Sequence, residues 1–376
     1  MSESGLERTT ETRLLPASNH PGAGDGLLSP LLSVERLEVQ FRAKHGAVRA
    51  VNGVTFQVSS GEMLGLVGES GSGKSVTSLA IMRLFPRDGS VISMGRVWFD
   101  GQDILSIPEP AMRRLRGRDM AIVFQNPMTS LNPTMRVGLQ IAEILMVHEG
   151  LGRRQAFERS EALLQMVGVP AVHESLAKYA HEFSGGMQQR ITIAMALALQ
   201  PRLLIADEPT TALDVTIQAQ VLDLIRERAA ETGMAVVLIT HNLGVAAGLT
   251  QRIAVMYAGL LVEVGETRSI FASPRHPYTV GLLGSLPRAD YHRVKLTPIP
   301  GMPPVQVEEP KGCPFAPRCA RQISVCSTET PALRSMGRQV AKPSRAVPNT
   351  CSHLVACHNP VPTEETPLMP LGSRRD

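Results

Sequence analysis

Two hydrophobic periods divide the chain between them. Leu32, Val34, Leu37, Val39 and Phe41 are spaced as in a half-buried strand, and residues 48–58 alternate in the same way. The run Met63-Leu64-Gly65-Leu66-Val67 is apolar throughout, as are residues 120–124, 203–206 and 235–239. Continuous runs of that length predict strands covered on both faces. Residues 76–84 instead carry helical spacing, as do 137–146, 153–167 and the stretch that ends at Leu199, and residues 172–179 extend this helical insert. Residues 95–103 read as a strand and a turn, with Asp100-Gly101 at the bend. Alternating strands first, then buried strands separated by helices, predict an antiparallel layer leading into a parallel, helix-covered α/β sheet.

Composition narrows the classes. With 376 residues the chain has room for about two domains, and 43% hydrophobic residues supply a sizeable core. A formal net charge of +4 gives no broad basic footprint, so no nucleic-acid partner is expected. No stretch approaches the ~20 apolar residues of a membrane span. The N-terminus lacks a basic segment followed by an apolar core, so no secretory signal is expected. These readings predict a cytosolic protein that meets a membrane only through partners. Residues 1–30, rich in Ser, Gly, Pro and Thr, are expected to form a disordered tail, and 361–376 a second flexible one.

The chemistry centres on residues 68–75, Gly-Glu-Ser-Gly-Ser-Gly-Lys-Ser, which fit the phosphate-loop pattern G-x-x-x-x-G-K-[ST] between a strand and a helix. Gly68, Gly71 and Gly73 let the backbone approach a polyphosphate, and the N–H groups of Glu69, Ser70, Ser72 and Val76 belong to the same cradle. Lys74 can reach the β- and γ-phosphates, and the Ser75 hydroxyl is placed to ligate Mg²⁺. The alternative is a glycine-rich turn that binds nothing.

Further candidates stand at the ends of other predicted elements. Gln125 ends one buried strand and can contact Mg²⁺ and water; alone, it is more often structural. Asp207 and Glu208 end another: Asp207 can hold Mg²⁺ and Glu208 can orient the attacking water, against the plainer reading of a solvated acidic turn. His241 ends a third and is expected to hydrogen-bond the γ-phosphate. Ser184 is a good N-cap, and Gly185-Gly186 leave N–H groups bare at a positive helix end, giving either a second anion site or an ordinary capped helix. Phe41 is either an adenine-stacking aromatic or a core residue.

Taken in this order, these motifs resemble the ATP-binding cassette (ABC) ATPases over about residues 31–283. The resemblance implies a P-loop NTPase with a RecA-like core, an antiparallel β layer and a helical subdomain. It places the cassette at 31–265, its helical subdomain at about 134–182, and a small cysteine-containing extension at 266–360. It further implies that Ser184, Gly185 and Gly186 act on nucleotide held by a second cassette, and that Asp214 helps join the two sites. The family consensus is Leu-Ser-Gly-Gly-Gln; here Phe183 and Met187 replace its first and last residues. With Glu208 and His241 both present, the half-site resembles a hydrolytically competent one. Residues 124–133 (Phe-Gln-Asn-Pro-Met-Thr-Ser-Leu-Asn-Pro), 273–279 and 312–319 resemble the oligopeptide/dipeptide/nickel importer branch. That branch implies a partner cassette, a paralogue as is usual there, two transmembrane permease subunits, an external peptide-binding protein acting indirectly, and a peripheral position on the cytoplasmic face of the inner membrane. A nickel importer is the closer rival. A soluble ABC ATPase acting on ribosomes or DNA is the distant one, disfavoured by a single cassette without sustained heptads.

All five cysteines lie near the C-terminus, as Cys313, Cys319, Cys326, Cys351 and Cys357. Such clustering suits a [4Fe–4S] cluster or Zn²⁺ better than disulfides in a cytosolic protein, and spacings wider than C-x₂-C weigh against zinc. The resemblance implies a [4Fe–4S] cluster on Cys313, Cys319, Cys326 and Cys357. Cys351 is the spare that can replace Cys357, and unliganded thiols are the plain alternative.

Overall fold

The computed structural model describes residues 29–43, 46–210, 214–285, 298–304, 309–336 and 353–363. Both expected tails fall almost wholly outside them, and so does Cys351. The chain opens with β1 (Leu32–Ala43) and β2 (Gly46–Val58), an antiparallel pair, followed by β3 (Met63–Val67) and α1 (Lys74–Ile81). Next come β4 (Val91–Phe99), the short β5 (Gln102–Asp103), α2 (Glu109–Leu115) and β6 (Met120–Val123). Five helices follow: α3 (Pro127–Ser130), then α4 (Val137–Glu149), α5 (Arg153–Met166) and α6 (Val172–Ser175) of the helical insert, and α7 (Gly185–Leu197). The chain then returns to the sheet with β7 (Leu203–Asp207), α8 (Val215–Thr232), β8 (Ala235–Thr240) and α9 (Leu243–Leu249). It closes with the hairpin β9 (Arg252–Tyr257) and β10 (Leu260–Glu266), helices α10 (Thr267–Ala272) and α11 (Pro277–Gly284), and two short strands, β11 (Arg334–Ser335) and β12 (Leu354–Val355).

Two sheets form, ordered β2-β1-β4-β5 and β11-β12-β10-β9-β3-β8-β7-β6. In the second, β9, β3, β8, β7 and β6 run parallel. The all-apolar runs sit here because each strand is covered on both faces. In β7, Leu203 and Ile205 join the core shared with the antiparallel sheet, while Leu204 and Ala206 join the core under the helical insert; Val237 and Val236 of β8 divide in the same way. A third core lies under the C-terminal segments, where Tyr257, Ile270, Tyr278 and Phe315 pack together with Cys313 and Cys319 against them.

Three elements depart from the pattern read in the sequence. β4 begins at Val91, four residues before the expected strand. Gly95 interrupts it with φ +99°, opposite a register shift between Glu35 and Glu38, and an added Cβ there would lie 2.4 Å from the Arg36 carbonyl oxygen. A glycine bulge inside a strand resembles a loop when read locally. The helix expected over 172–179 stops at Ser175, because the carbonyls of Leu176 and Lys178 accept hydrogen bonds from Gly138 and Val137 at the start of α4. The β9–β10 hairpin was not anticipated, since its strands are joined only by Ala258-Gly259 and blend into one apolar run.

The C-terminal segments are tied to β10 through Glu263. Its fully buried carboxylate accepts the N–H groups of Arg275 (2.7 Å) and His276 (2.9 Å) and meets His353 Nε2 at 2.6 Å. His276 is buried beside it, its Nδ1 accepting the Tyr278 N–H, and burial pushes the imidazole down to about 4 against a partial opposing pull from Glu263. The unfolded chain therefore binds a proton between pH ~6.5 and ~4 that the folded chain refuses. The neutral imidazole's contribution to stability is present above pH ~6.5 and lost as the pH falls, by at most about 3 kcal/mol. Thermal melts from pH 7 to 4.5 should show a smaller acid-induced drop for His276→Asn, which keeps a capping acceptor but does not titrate; equal slopes would refute the assignment.

Candidate functional site

Four parallel strands deliver the candidate residues to one edge of the sheet. β3 leads into the glycine loop, β8 lies beside it, β7 follows and β6 is outermost. Their carboxyl ends carry the loop, His241, Asp207-Glu208 and Gln125 in that order. This is the edge at which ligands of open α/β sheets collect.

The loop has no room for other residues at its tight points. A Cβ on Gly68 would lie 2.1 Å from the Met256 carbonyl oxygen, and one on Gly73, where φ is +103°, 2.4 Å from that of Ala50. Lys74 opens α1 and folds back over the loop, its Nζ donating to the carbonyls of Gly68 (2.8 Å) and Glu69 (2.9 Å) and to Ser72 Oγ (3.4 Å). Burial lowers the pKa of this ammonium, while Glu208, Asp207 and Glu69 pull it back up. Ser75 Oγ donates to Asp207 Oδ1 at 3.0 Å, bridging the loop and β7. Burial raises the Asp207 pKa; the Ser75 hydroxyl opposes it and the neighbouring Glu208 charge adds to it.

Glu208 has φ +46°, a left-handed conformation that costs a non-glycine residue about 1–3 kcal/mol. That turn sets its carboxylate between two partners. Gln125 Nε2 donates to Oε2 at 3.0 Å, and His241 Nδ1 lies 3.1 Å from Oε1. Glu208 is nearly enclosed, with 10% of its side chain exposed, whereas His241 is half exposed. Gln125, Glu208 and His241 thus form one cluster beside the Lys74–Ser75–Asp207 group.

Other candidates lie apart from this cluster. Ser184 caps α7 by accepting the Met187 N–H at 3.4 Å, and both Ser184 and Gly185 are exposed. Asp214 caps α8 by accepting the Ile217 N–H at 2.9 Å and is also exposed. Phe41 packs edge-on against Phe85, centroids 5.7 Å apart, and is partly exposed. Val76 is partly buried against the core below the antiparallel sheet. Ser70 is exposed at the loop tip.

In the extension, Cys313, Cys319, Cys326 and Cys357 are free thiols, Cys326 buried and the other three partly buried. Those of Cys313, Cys319 and Cys326 act electrostatically on Cys357, whose pKa burial pushes up to about 11. Burial also raises Cys313 and Cys319. Among the described residues, no three His, Cys, Asp or Glu side chains stand close enough to hold a single metal ion. The structure also brings Arg318 and Tyr278 of the extension onto the glycine loop, contacts that no local pattern signals because they join residues more than 200 positions apart.

The fold and the strand-edge cluster define a P-loop ATPase cassette. Residues 51–211 match the ABC transporter family, and residues 262–326 match the oligopeptide/dipeptide transporter C-terminal region. The chain is 49% identical to the dipeptide transport ATP-binding protein DppD of Bacillus subtilis (strain 168), over 81% of this chain and 91% of that protein. It is 48% identical to the oligopeptide transport ATP-binding protein OppD of Salmonella typhimurium (strain LT2), over 80% and 89%. A dimeric ATP-binding cassette solved in a post-hydrolysis state with ADP and phosphate shares the fold, with TM-score 0.57 and 24% identity over 63% of this chain and 99% of that one. The chain belongs to the ABC transporter family, in the branch that carries the oligopeptide/dipeptide transporter C-terminal region.

Proposed function

We propose that the chain is the ATP-hydrolysing subunit of an importer for di- or oligopeptides. The observation that carries this reading is the convergence of Gln125 and His241 on the Glu208 carboxylate beside the Lys74–Ser75–Asp207 group, in a chain whose curated relatives include dipeptide and oligopeptide transport ATP-binding proteins. The loop N–H groups and Lys74 bind the ATP phosphates. The oxygens of Ser75 and Asp207, with Gln125, are hard donors suited to Mg²⁺, which supplies charge neutralisation of the phosphates when bound. Glu208 orients the attacking water and takes its proton, held in place by Gln125. His241, at the rim of the cluster, hydrogen-bonds the γ-phosphate. Phe41 offers its exposed edge to the adenine ring.

Ser184, Gly185 and Gly186 open α7, and with Asp214 they face outward. That exposure suits action on a second cassette, a paralogue, across a shared face. Closure of the pair around two ATP molecules drives the permease toward its outward-facing state, and hydrolysis lets the cassettes part. Among the described residues no helix is long and apolar enough to cross a membrane. In this reading the chain works peripherally, on the cytoplasmic face of the inner membrane, against two permease subunits that take peptide from an external binding protein. Their cytosolic loops dock in the groove of about 300 Å³ between β6 and the helical insert, lined by Leu84, Phe124, Ile144 and Met195, with Met128 exposed nearby.

Four cysteine thiols that influence one another electrostatically suit a [4Fe–4S] cluster, with Zn²⁺ the alternative. Iron would favour the thiolates that burial disfavours, and the group would brace the extension. Full-length protein prepared without oxygen should contain about four iron atoms per chain and absorb in the visible, and Cys313→Ser should lose both. Protein with neither iron nor zinc would mean free thiols.

Uptake of labelled di- and oligopeptides should stop in cells lacking the chain and return with the parent sequence but not with Glu208→Gln. Restored nickel uptake with unchanged peptide uptake would favour the nickel reading instead.

A further inference from the structure

The phosphate loop is gripped from outside the cassette. Arg318 stands one residue before Cys319, and its side chain is only 5% exposed. Its guanidinium forks onto the Glu69 carboxylate, Nη1 to Oε2 at 2.7 Å and Nη2 to Oε1 at 3.0 Å. The remaining donors are also engaged: Nε with the Pro300 carbonyl at 2.8 Å, Nη2 with that of Ile299 at 3.5 Å, and Nη1 with the Tyr257 hydroxyl at 3.3 Å. Its charge lies over the rings of Tyr257 and Phe315, at 5.7 and 6.0 Å. A second hold comes from Tyr278, whose hydroxyl accepts the Glu69 N–H at 2.8 Å. Glu69 in turn offers its own carbonyl to Lys74.

We propose that Arg318 is a positioning residue for the nucleotide site. By fixing Glu69, whose own N–H is taken by Tyr278, it holds the loop in the conformation that presents Lys74 and the N–H groups not engaged within the loop to phosphate. A bidentate carboxylate pair fixes orientation as well as distance, and Arg318 is itself fixed because every donor is satisfied. Its backbone belongs to the turn between Cys313 and Cys319, where Ala316 N–H donates to Cys313, Arg318 N–H to Phe315 and Cys319 N–H to Ala316. Whatever orders that turn therefore orders the loop. The extension is in this sense part of the ATP site.

The inference rests on the glycine loop being the nucleotide site, which Lys74→Ala checks separately. The test uses the full chain and measures equilibrium ATP binding together with KM and kcat for hydrolysis. Arg318→Met should weaken ATP binding about fivefold or more, with the loss falling on KM more than on kcat, and Arg318→Lys should recover part of it. Glu69→Gln should weaken binding too, although removing a negative charge near a triphosphate favours binding by itself; a loss there therefore reports the anchor. The double variant should bind no worse than the weaker single one. Parent-like ATP affinity in folded Arg318→Met, no loss in Glu69→Gln, or fully additive losses would each overturn the proposal. If Arg318→Met does not fold, parent-like KM in both Arg318→Lys and Glu69→Gln would overturn it. Unchanged ATP affinity in Lys74→Ala would remove the loop reading and this inference together.

Discussion

Glu208→Gln is expected to bind ATP as the parent does while hydrolysis falls about 100- to 10,000-fold, the usual contribution of a positioned general base. That corresponds to about 3–5 kcal/mol of lost transition-state stabilisation. The substitution is nearly isosteric. The backbone at Glu208, already in a left-handed conformation and anchored by its N–H to the Ile239 carbonyl at 2.9 Å, gains no new strain. What disappears is the carboxylate charge between Gln125 and His241, and with it the acceptor for the water's proton. Because binding survives and turnover stops, cassettes carrying Glu208→Gln should accumulate as a closed pair in ATP, visible by sizing or cross-linking of the assembled transporter. Hydrolysis at the parent rate would show that the carboxylate is not the base. Loss of ATP binding together with hydrolysis would show that it acts on the ground state.

How much of this was legible beforehand depended on whether the information was local. The glycine loop, the signature helix start and the paired carboxylates each occupy consecutive residues, so their residue types and spacing were enough to nominate them. The grouping of Gln125, Glu208 and His241 was reachable by one further rule, because each ends a buried strand of the same parallel sheet. The first four residues of β4 are not legible because Gly95 looks like a loop residue without the bulge opposite it, between Glu35 and Glu38. Buried His276 and the Arg318–Glu69 clamp were not legible. Their chemistry comes from partners far away in the chain, and an Arg beside a Cys or a His before a Pro has no local period to betray it. The four-thiol grouping is implied by likeness to a family and not by any local pattern. Among the described residues no three such side chains stand close enough to hold a single metal ion, and Cys351 lies outside them.

Lys74→Ala is expected to reduce ATP affinity about 100-fold or more. Charge-assisted hydrogen bonds contribute about 1.5–3 kcal/mol each, so losing one to two of them covers that range. The context favours the upper part. Lys74 is only 4% exposed, so its desolvation has been met by folding, and three nearby carboxylates keep the charge in place. Phosphate oxygens then replace the neutral carbonyls of Gly68 and Glu69 as acceptors, a gain that requires little further dehydration. The same substitution leaves the Gly68 carbonyl without the Lys74 donor, while that of Glu69 keeps the Ser72 N–H at 3.2 Å, and the lost donor lowers stability on its own. Two readouts separate the effects. A melt without nucleotide reports the orphaned Gly68 carbonyl, while the rise in melting temperature produced by ATP reports binding, since a ligand stabilises only the state that binds it. The parent should gain several degrees from ATP and the variant almost none, even if both start from different melting points. An equal gain in the two proteins would mean that the glycine loop is a turn rather than a phosphate site, and the assignments of Ser75, Asp207 and Glu208 that depend on its position would fall with it.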